Sequence, residues 1–359
     1  MTETRKIIIT GTHTTPALEL IHQLRDDRDI NWDIYYIGRQ FNSSVDTEIS
    51  IESKIIPHYK VKFYGIPCGK FDRRWLPNTL SGLPQIFIGF KEAHKIITKI
   101  KPHLVVSFGG YVSVPVVIAA YFNKIPSITH EQTQTLSLST RINSLFSQFT
   151  ALSFPIQKMS DKHHLTGNLL RREIFNIHSE TFEKEKFNLK KFPLIYLTAG
   201  NQGSHHLNII LKKLLSFLTQ NFTVIHQTGP KDFKSFSRLS KKFPNYITKD
   251  YIDSADIGWV FHHAAVTISR AGANTTQEIA TLNLNSIVIP LPISQQDEQL
   301  KNALWLQKKS PKNTIIIKDA ELTSDSLDSA IYKLLYIKKN TSSIPPSPNL
   351  KLLKLIKRL

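Results

Sequence analysis

The chain has 359 residues, 41% of them hydrophobic, which exceeds what one ordinary core needs and is enough to fill two α/β domains. Its formal charge of +18, from 46 Lys and Arg against 28 Asp and Glu, calls for an anionic partner, but no helix-turn-helix, zinc-ligand or aromatic RNA-binding signature accompanies it, so nucleic acid is not the expected one. The single cysteine, Cys68, excludes an intramolecular disulfide framework, fits a reducing cytoplasm, and reads as a small buried hydrophobe.

Residues 1–9 enter a short β-like run without the longer apolar stretch of a signal peptide, and no run approaches transmembrane length. The loop Thr10-Gly11-Thr12-His13 then leaves this strand and opens a helix with Pro16 in its first turn. Its amides and hydroxyls can hold a diphosphate, and His13 can act as a base or as a donor to phosphate. Helical patterns at 16–24, 89–100 and 114–121 alternate with β-branched runs at 33–37, 104–107 and 127–129, the mark of a parallel sheet with crossover helices. Two of those strand ends carry polar or glycine-rich groups: Gly109-Gly110-Tyr111 after 107, and His130-Glu131-Gln132 after 129, the latter suited to an acceptor or to capping the strand.

The polar stretch 166–191 reads as a linker between a first domain, 1–165, and a second, 192–339. The second domain restarts the alternation with strands at 194–198, 223–227, 266–269 and 286–289 and helices at 207–218 and 275–282. Strand, glycine loop and helix recur twice, at Ala199-Gly200-Asn201-Gln202-Gly203 and at Ala271-Gly272-Ala273-Asn274. In the second, helix-start amides can face a diphosphate, Glu278 lies one helical turn on, where a carboxylate can accept from ribose hydroxyls, and Gln299 follows the next strand. Together these describe a pocket for a nucleotide sugar. For His226, which ends a strand, a hydrogen-bonded structural role is the favoured expectation. Residues 340–348 form a turn-rich connection to a basic amphipathic helix candidate within the tail, 340–359, which either packs on the first domain or meets lipid.

No metal is expected. The one Asp-x-Asp, Asp27-Arg28-Asp29, falls where a helix is ending, and the His pairs 163–164, 205–206 and 262–263 are adjacent, so their side chains diverge on regular structure. Residues 73–95 mix basic side chains with Trp75, Ile86, Phe87, Ile88 and Phe90, a composition that suits either an anionic bilayer or an ordinary core helix.

Taken in order, Gly109-Gly110-Tyr111-Val112-Ser113, His130-Glu131-Gln132, Thr166-Gly167-Asn168 with Arg171, Gln202-Gly203, His226-Gln227-Thr228-Gly229, Tyr251-Ile252-Asp253, Arg270-Ala271-Gly272-Ala273 with Glu278, and Asp297-Glu298-Gln299 with Asn302-Ala303 resemble the MurG-type bacterial transferases. The likeness runs from the first strand to about residue 309. It implies an α/β GT-B fold: two facing Rossmann-like, doubly wound parallel-sheet domains with an interdomain cleft. It implies an inverting transfer of N-acetylglucosamine from UDP-N-acetylglucosamine to lipid-linked muramyl-pentapeptide in peptidoglycan synthesis, by a peripheral enzyme on the cytoplasmic face of the bacterial membrane, with no cofactor.

By the same resemblance Ile252 flanks the uracil; Ala273, Asn274, Thr275, Thr276 and Gln277 line the nucleotide pocket; Glu278 holds the ribose and Gln299 the sugar hydroxyls. Arg171 and Asn201 support the donor. Thr10, Gly11, Thr12, Gly109, Gly110, Tyr111, Glu131 and Thr133 serve the acceptor diphosphate, with His13 as the base. The chain departs from the family pattern in carrying Thr12 where a glycine is usual, Thr133 for an Asn, Asn201 for a Ser and Glu298 for a His. Two other readings stay open: a glycolipid synthase of the same fold with another lipid acceptor, and a non-catalytic nucleotide-sugar-binding homologue. The expected partners are a nucleotide sugar, a lipid-linked acceptor and an anionic membrane surface, with the oligomeric state open.

Overall fold

The computed structural model describes residues 3–41, 49–67, 76–156, 158–184, 187–200, 202–292, 297–337 and 349–359, with the backbone alone for 76–86. Cys68, Arg73, Arg74, Trp75, Asn201 and the 340–348 connection lie outside the described residues. The chain divides into two compact units, one of Met1–Arg171 with Asn349–Leu359 and one of Arg172–Pro348.

The first unit runs β1 (Glu3–Thr10), α1 (Thr14–Arg25), β2 (Ile30–Arg39), α2 (Ile51–Ile55), β3 (Lys62–Ile66), α3 (Leu76–Ile100), β4 (Leu104–Ser107), α4 (Ser113–Phe122), β5 (Ser127–Glu131), α5 (Leu138–Phe146), β6 (Phe149–Leu152) and β7 (His163–Leu165). Its strands form one sheet in the order β3-β2-β1-β4-β5-β6-β7, every pairing parallel. The run Ile7-Ile8-Ile9 shows why the sheet is covered on both faces. Side chains alternate across a strand, so Ile7 and Ile9 join the core under α1 while Ile8 joins the core under α3 and α4 with Ala93, Ile97 and Val116.

The second unit holds α6 (Glu180–Glu183), β8 (Leu194–Thr198), α7 (His205–Asn221), β9 (Thr223–Gln227), α8 (Pro230–Ser240), β10 (Tyr246–Lys249), α9 (Ser254–His263), β11 (Ala264–Arg270), α10 (Ala273–Thr281), β12 (Ser286–Ile289), α11 (Glu298–Lys309), β13 (Thr314–Ile316) and α12 (Ser324–Leu335). Its sheet, in the order β10-β9-β8-β11-β12-β13, is again parallel throughout. Ile195, Leu197, Val266 and Ile268 pack under α7 and α12, each buried below 1% exposure, while Tyr196 meets Phe261 of α9.

The last helix, α13 (Lys351–Ile356), belongs to the first unit, where Leu352, Leu353, Leu355 and Ile356 enter the core beside α1. Lys357 Nζ donates to Asp27 and, at 2.7 Å, to Asp29. At about 1.5–3 kcal/mol per buried aliphatic side chain, the apolar contact outweighs this partly exposed ion pair, worth at most about 1 kcal/mol. The apolar face of the tail helix is therefore committed to protein. Among the described residues no helix is long and apolar enough to cross a membrane.

Candidate active site

In the first unit, neighbouring strands β1, β4 and β5 end together, and their loops are knitted at the carboxyl edge of the sheet, where open parallel sheets bind ligands. Phe108 N donates to Thr10 O at 2.8 Å and Thr12 N to Gly109 O at 3.3 Å. Tyr36, fully buried, donates its hydroxyl to Gly11 O at 2.8 Å. Gly11 has φ +137°, and a Cβ there would stand 2.9 Å from the Phe108 carbonyl carbon, so the close approach of the two loops requires glycine.

His13, exposed at the entrance to α1, places Nδ1 2.7 Å from Phe108 O. A carbonyl only accepts, so Nδ1 carries the hydrogen, and in the neutral ring Nε2 is the nitrogen with a lone pair. That tautomer is the one a general base needs.

The Gly109-Gly110-Tyr111 loop is pinned from beneath. Asn143, buried on α5, donates to Ser113 Oγ at 2.8 Å and to Ser107 Oγ at 3.2 Å; Ser113 Oγ donates to Gly110 O and Ser107 Oγ accepts from Gly109 N. Glu131, 5% exposed, spends its carboxylate on the following turn: Oε1 accepts from Thr133 N and Oγ1, and Oε2 from Ser137 N. Thr133 is thereby held against Glu131. His130 is buried with Nε2 3.0 Å from Gly167 O, and burial, only partly offset by that bond and the Glu131 charge, pushes its pKa down to about 4, so it is neutral near pH 7.

In the second unit, the loops after adjacent strands β8 and β11 form another edge. Gln227 is the hub: its Nε2 donates to Gly200 O at 3.1 Å, and its Oε1 accepts from the Tyr196 hydroxyl at 3.1 Å and from Ile252 N at 3.3 Å. Ile252, 2% exposed, is thus fixed to the loop that begins at Gly200. Arg270, ending β11, donates through Nη2 to Ser204 Oγ at 2.8 Å and through Nη1 to Asp319 and to Ile289 O. Burial raises the Asp319 carboxyl, but the Arg270 and His206 partners outweigh it and hold it below the usual carboxylate range. Asn302 on α11 donates to Ala271 O at 3.2 Å, buttressing the turn into α10.

Ala273, Asn274 and Thr275 form the partly exposed first turn of α10, whereas Thr276, Gln277 and Glu278 are buried. Thr276 turns its hydroxyl back to Gly272 O at 2.9 Å. Gln299 Oε1 accepts from Leu291 N at 3.1 Å, tying α11 to the end of β12. Arg171 is the partly buried last residue of the first unit before the chain crosses into the second. His226 is buried between the Tyr246 hydroxyl and Asn208 at 2.8 and 2.9 Å, and burial pushes it down to about 3.

The candidate residues of the first unit therefore gather on one edge; in the second, Ala273 to Glu278 lie on α10, Gln299 on α11 and Ile252 beside the loop at Gly200, while Asn201 lies outside the described residues and Arg171 ends the first unit. Gln227, Arg270, Asp319 and Asn143 were assigned no role from sequence. A charged residue closing the buried run Thr267-Ile268-Ser269 was a signal for Arg270; Asn143 and Asp319 act across long sequence separations and left none. Among the described residues no group of three His, Cys, Asp or Glu gathers to hold a metal.

Two parallel, doubly wound sheets with glycine loops at their carboxyl edges make a GT-B-like fold. Residues 8–151 match the glycosyltransferase family 28 N-terminal domain and residues 194–358 its C-terminal domain, so the chain belongs to glycosyltransferase family 28. Two relatives named UDP-N-acetylglucosamine–N-acetylmuramyl-(pentapeptide) pyrophosphoryl-undecaprenol N-acetylglucosamine transferase bracket the likeness. The one from Caldanaerobacter subterraneus is 31% identical, covering 87% of this chain and 85% of its own. The one from Clostridium kluyveri is 30% identical over 99% of both. The crystal structure of Acinetobacter baumannii MurG shares the fold, with a TM-score of 0.69 at 20% identity over 99% of this chain and 100% of that one.

Proposed function

We propose that this glycosyltransferase moves N-acetylglucosamine from UDP-N-acetylglucosamine to a lipid-linked muramyl-pentapeptide, with inversion at the anomeric carbon, as a step of peptidoglycan synthesis. The observation that carries the reading is the near full-length likeness, at 30% identity or more, to relatives whose names describe that reaction. The geometry of each unit agrees with it.

In this reading the first unit takes the acceptor. The amides of the Thr10–Thr12 and Gly109–Tyr111 loops bind its diphosphate, and His13 Nε2 removes the proton from the attacking hydroxyl as the glycosidic bond forms. The second unit takes the donor. Ile252 flanks the uracil, Glu278 meets the ribose, Gln299 the sugar, and the amides opening α10 receive the charge that develops on the departing UDP. Arg171 and Asn201 add to the donor side. No step calls for a metal.

Contact with an anionic membrane belongs to the first unit. Phe87, Ile88, Tyr121 and Phe122 are exposed on α3 and α4, Phe90 packs on Phe122, and Lys91 Nζ lies 4.7 Å from the Phe87 ring centre. Apolar insertion with flanking cations suits a peripheral enzyme on the cytoplasmic face of the cell membrane. The test is transfer by the purified protein from UDP-N-acetylglucosamine to lipid-linked muramyl-pentapeptide and to diacylglycerol in parallel, with flotation on anionic vesicles. Turnover on the first acceptor alone is expected. Turnover on diacylglycerol alone, or on neither, overturns the reading, and absence from the floating fraction overturns the membrane assignment.

A further inference from the structure

Beside the acceptor loops of the first unit, Arg39 at the end of β2 and Glu52 on α2 form an ion pair that the reaction as described does not use. Arg39 Nε donates to Glu52 Oε1 at 2.7 Å and Nη2 to Oε2 at 3.3 Å; the Glu52 side chain is 1% exposed and that of Arg39 18%. The remaining Arg39 nitrogen, Nη1, donates to the Tyr111 hydroxyl at 2.8 Å, and the guanidinium carbon stands 5.4 Å from the centre of the same ring. Ser50 holds the other end of the arrangement, donating its hydroxyl to Arg39 O while capping α2 through Ser53 N.

A buried pair of this kind is poor evidence of a contribution to stability, because removing two charges from water costs about as much as their attraction returns. What it does supply is direction. Engagement of Nε and Nη2 by Glu52 fixes the guanidinium plane and with it the directions of the remaining N–H bonds, on one of which, from Nη1, Tyr111 lies. Burial works against the Arg39 charge, but the hydrogen bonds with Glu52 and Tyr111 outweigh it, so the donor stays ionised at every pH of interest. Because Glu52 neutralises Arg39 locally, the pair offers an acceptor diphosphate little net attraction.

We infer that Arg39 and Glu52 act as a positioning pair that fixes Tyr111, and through it the Gly109-Gly110-Tyr111 loop, in the conformation that receives the lipid-linked acceptor. The inference rests on the reading of that loop as an acceptor site. It separates two functions within the loop: Asn143 holds the backbone from beneath, and Arg39 holds the one large side chain from the side.

Removing Arg39 alone strands a buried carboxylate and endangers folding, so the decisive variant replaces both charges, Arg39→Met with Glu52→Leu, alongside Tyr111→Phe and the triple variant, each with its melting temperature recorded. Steady-state kinetics are measured separately against lipid-linked muramyl-pentapeptide and UDP-N-acetylglucosamine. Loss of one charge-assisted hydrogen bond that orients the acceptor raises its KM about tenfold, with the donor KM unchanged. In the Tyr111→Phe background, where the hydroxyl is already gone, the paired substitution adds less than about twofold, the signature of two groups acting through one contact. Should the wild-type protein use no such acceptor, the acceptor reading falls and this inference with it. If the wild type is active and the charge-free pair keeps its acceptor KM, or raises it equally with and without the Tyr111 hydroxyl, the reading stands and the inference alone is overturned.

Discussion

In the first unit a Cβ placed on Gly110 would stand 2.4 Å from Thr12 Oγ1, and one on Gly11 2.9 Å from the Phe108 carbonyl carbon; in the second, a Cβ on Gly272 would meet no atom of the described residues within 4 Å. The backbone separates them as well. Gly11 and Gly110 have φ of +137° and +77°, which side chains rarely adopt, whereas Gly272 sits at φ −67°, open to any residue. Glycine at positions 11 and 110 lets the loops after β1 and β4 touch. At Gly272 neither the backbone conformation nor packing against the described residues demands it, and this is the turn where the nucleotide diphosphate is proposed to lie.

The difference between the two units is sharpest in the chemistry assigned to each, and His13→Ala should produce the largest effect. His13 is exposed, and its side chain makes one hydrogen bond, to Phe108 O, so its loss costs the fold about 1 kcal/mol. With a general base removed, kcat falls by about 10²- to 10⁴-fold while the KM for UDP-N-acetylglucosamine, read from the other unit, stays within about twofold. A variant that keeps nearly full kcat at saturating substrate removes His13 from the mechanism. A donor KM that rises in step with the loss of kcat breaks the division of labour between the units.

A matched pair of glycine substitutions comes next. Gly110→Ala forces a Cβ into Thr12 at a positive φ and lowers the melting temperature, by several degrees if the strain is on the order of 1–3 kcal/mol. Gly272→Ala lowers it less, because the methyl group meets no described atom and the narrower unfolded ensemble, about 0.4–1 kcal/mol, offsets alanine's poorer capping of α10. Its effect appears in the donor KM, which rises about tenfold if a diphosphate packs on this turn. Equal melting temperatures for the two variants would contradict the packing described here. An unchanged donor KM in Gly272→Ala would move the diphosphate away from the turn.

What the sequence made legible follows the same physics. Strands buried on both faces, such as Ile7-Ile8-Ile9 and Val224-Ile225, read as unbroken apolar runs, and glycines at their ends marked the loops. The sheet edges were silent. β7, with His163-His164-Leu165, and β13, three residues long, are too short and too little buried to carry a period. The stretch 166–191, expected as one linker, splits: Leu169 packs in the first unit's core, while the segment from Arg172 onward, with α6, belongs to the second. Residue types of the candidate site could be proposed from sequence because chemistry restricts them. Their partners could not, since Asn143, Gln227 and Asp319 reach their loops across 30, 27 and 49 residues of chain.

The smallest effect concerns the tail, the one segment of the C-terminal sequence that belongs to the first unit. Asp27, whose Asp-x-Asp is not expected to hold a metal, receives the Lys357 ammonium and the Trp32 indole N–H. Burial pushes the Asp27 carboxyl up, but the bonds from Lys357, Trp32 and the Asp29 amide more than offset it and hold it below 3.8. For a carboxyl whose folded pKa is depressed, the stabilisation is complete above the unfolded value and is lost as pH falls through the folded one. Lys357→Met therefore lowers the melting temperature by about 2 °C at neutral pH, and the gap to the wild type closes in acid as Asp27 protonates in both proteins. Melting curves that coincide at neutral pH would assign the docking of α13 to Leu352, Leu353, Leu355 and Ile356 alone. A gap that persists in acid would show that the contribution of Lys357 does not come from its pairing with the Asp27 carboxylate.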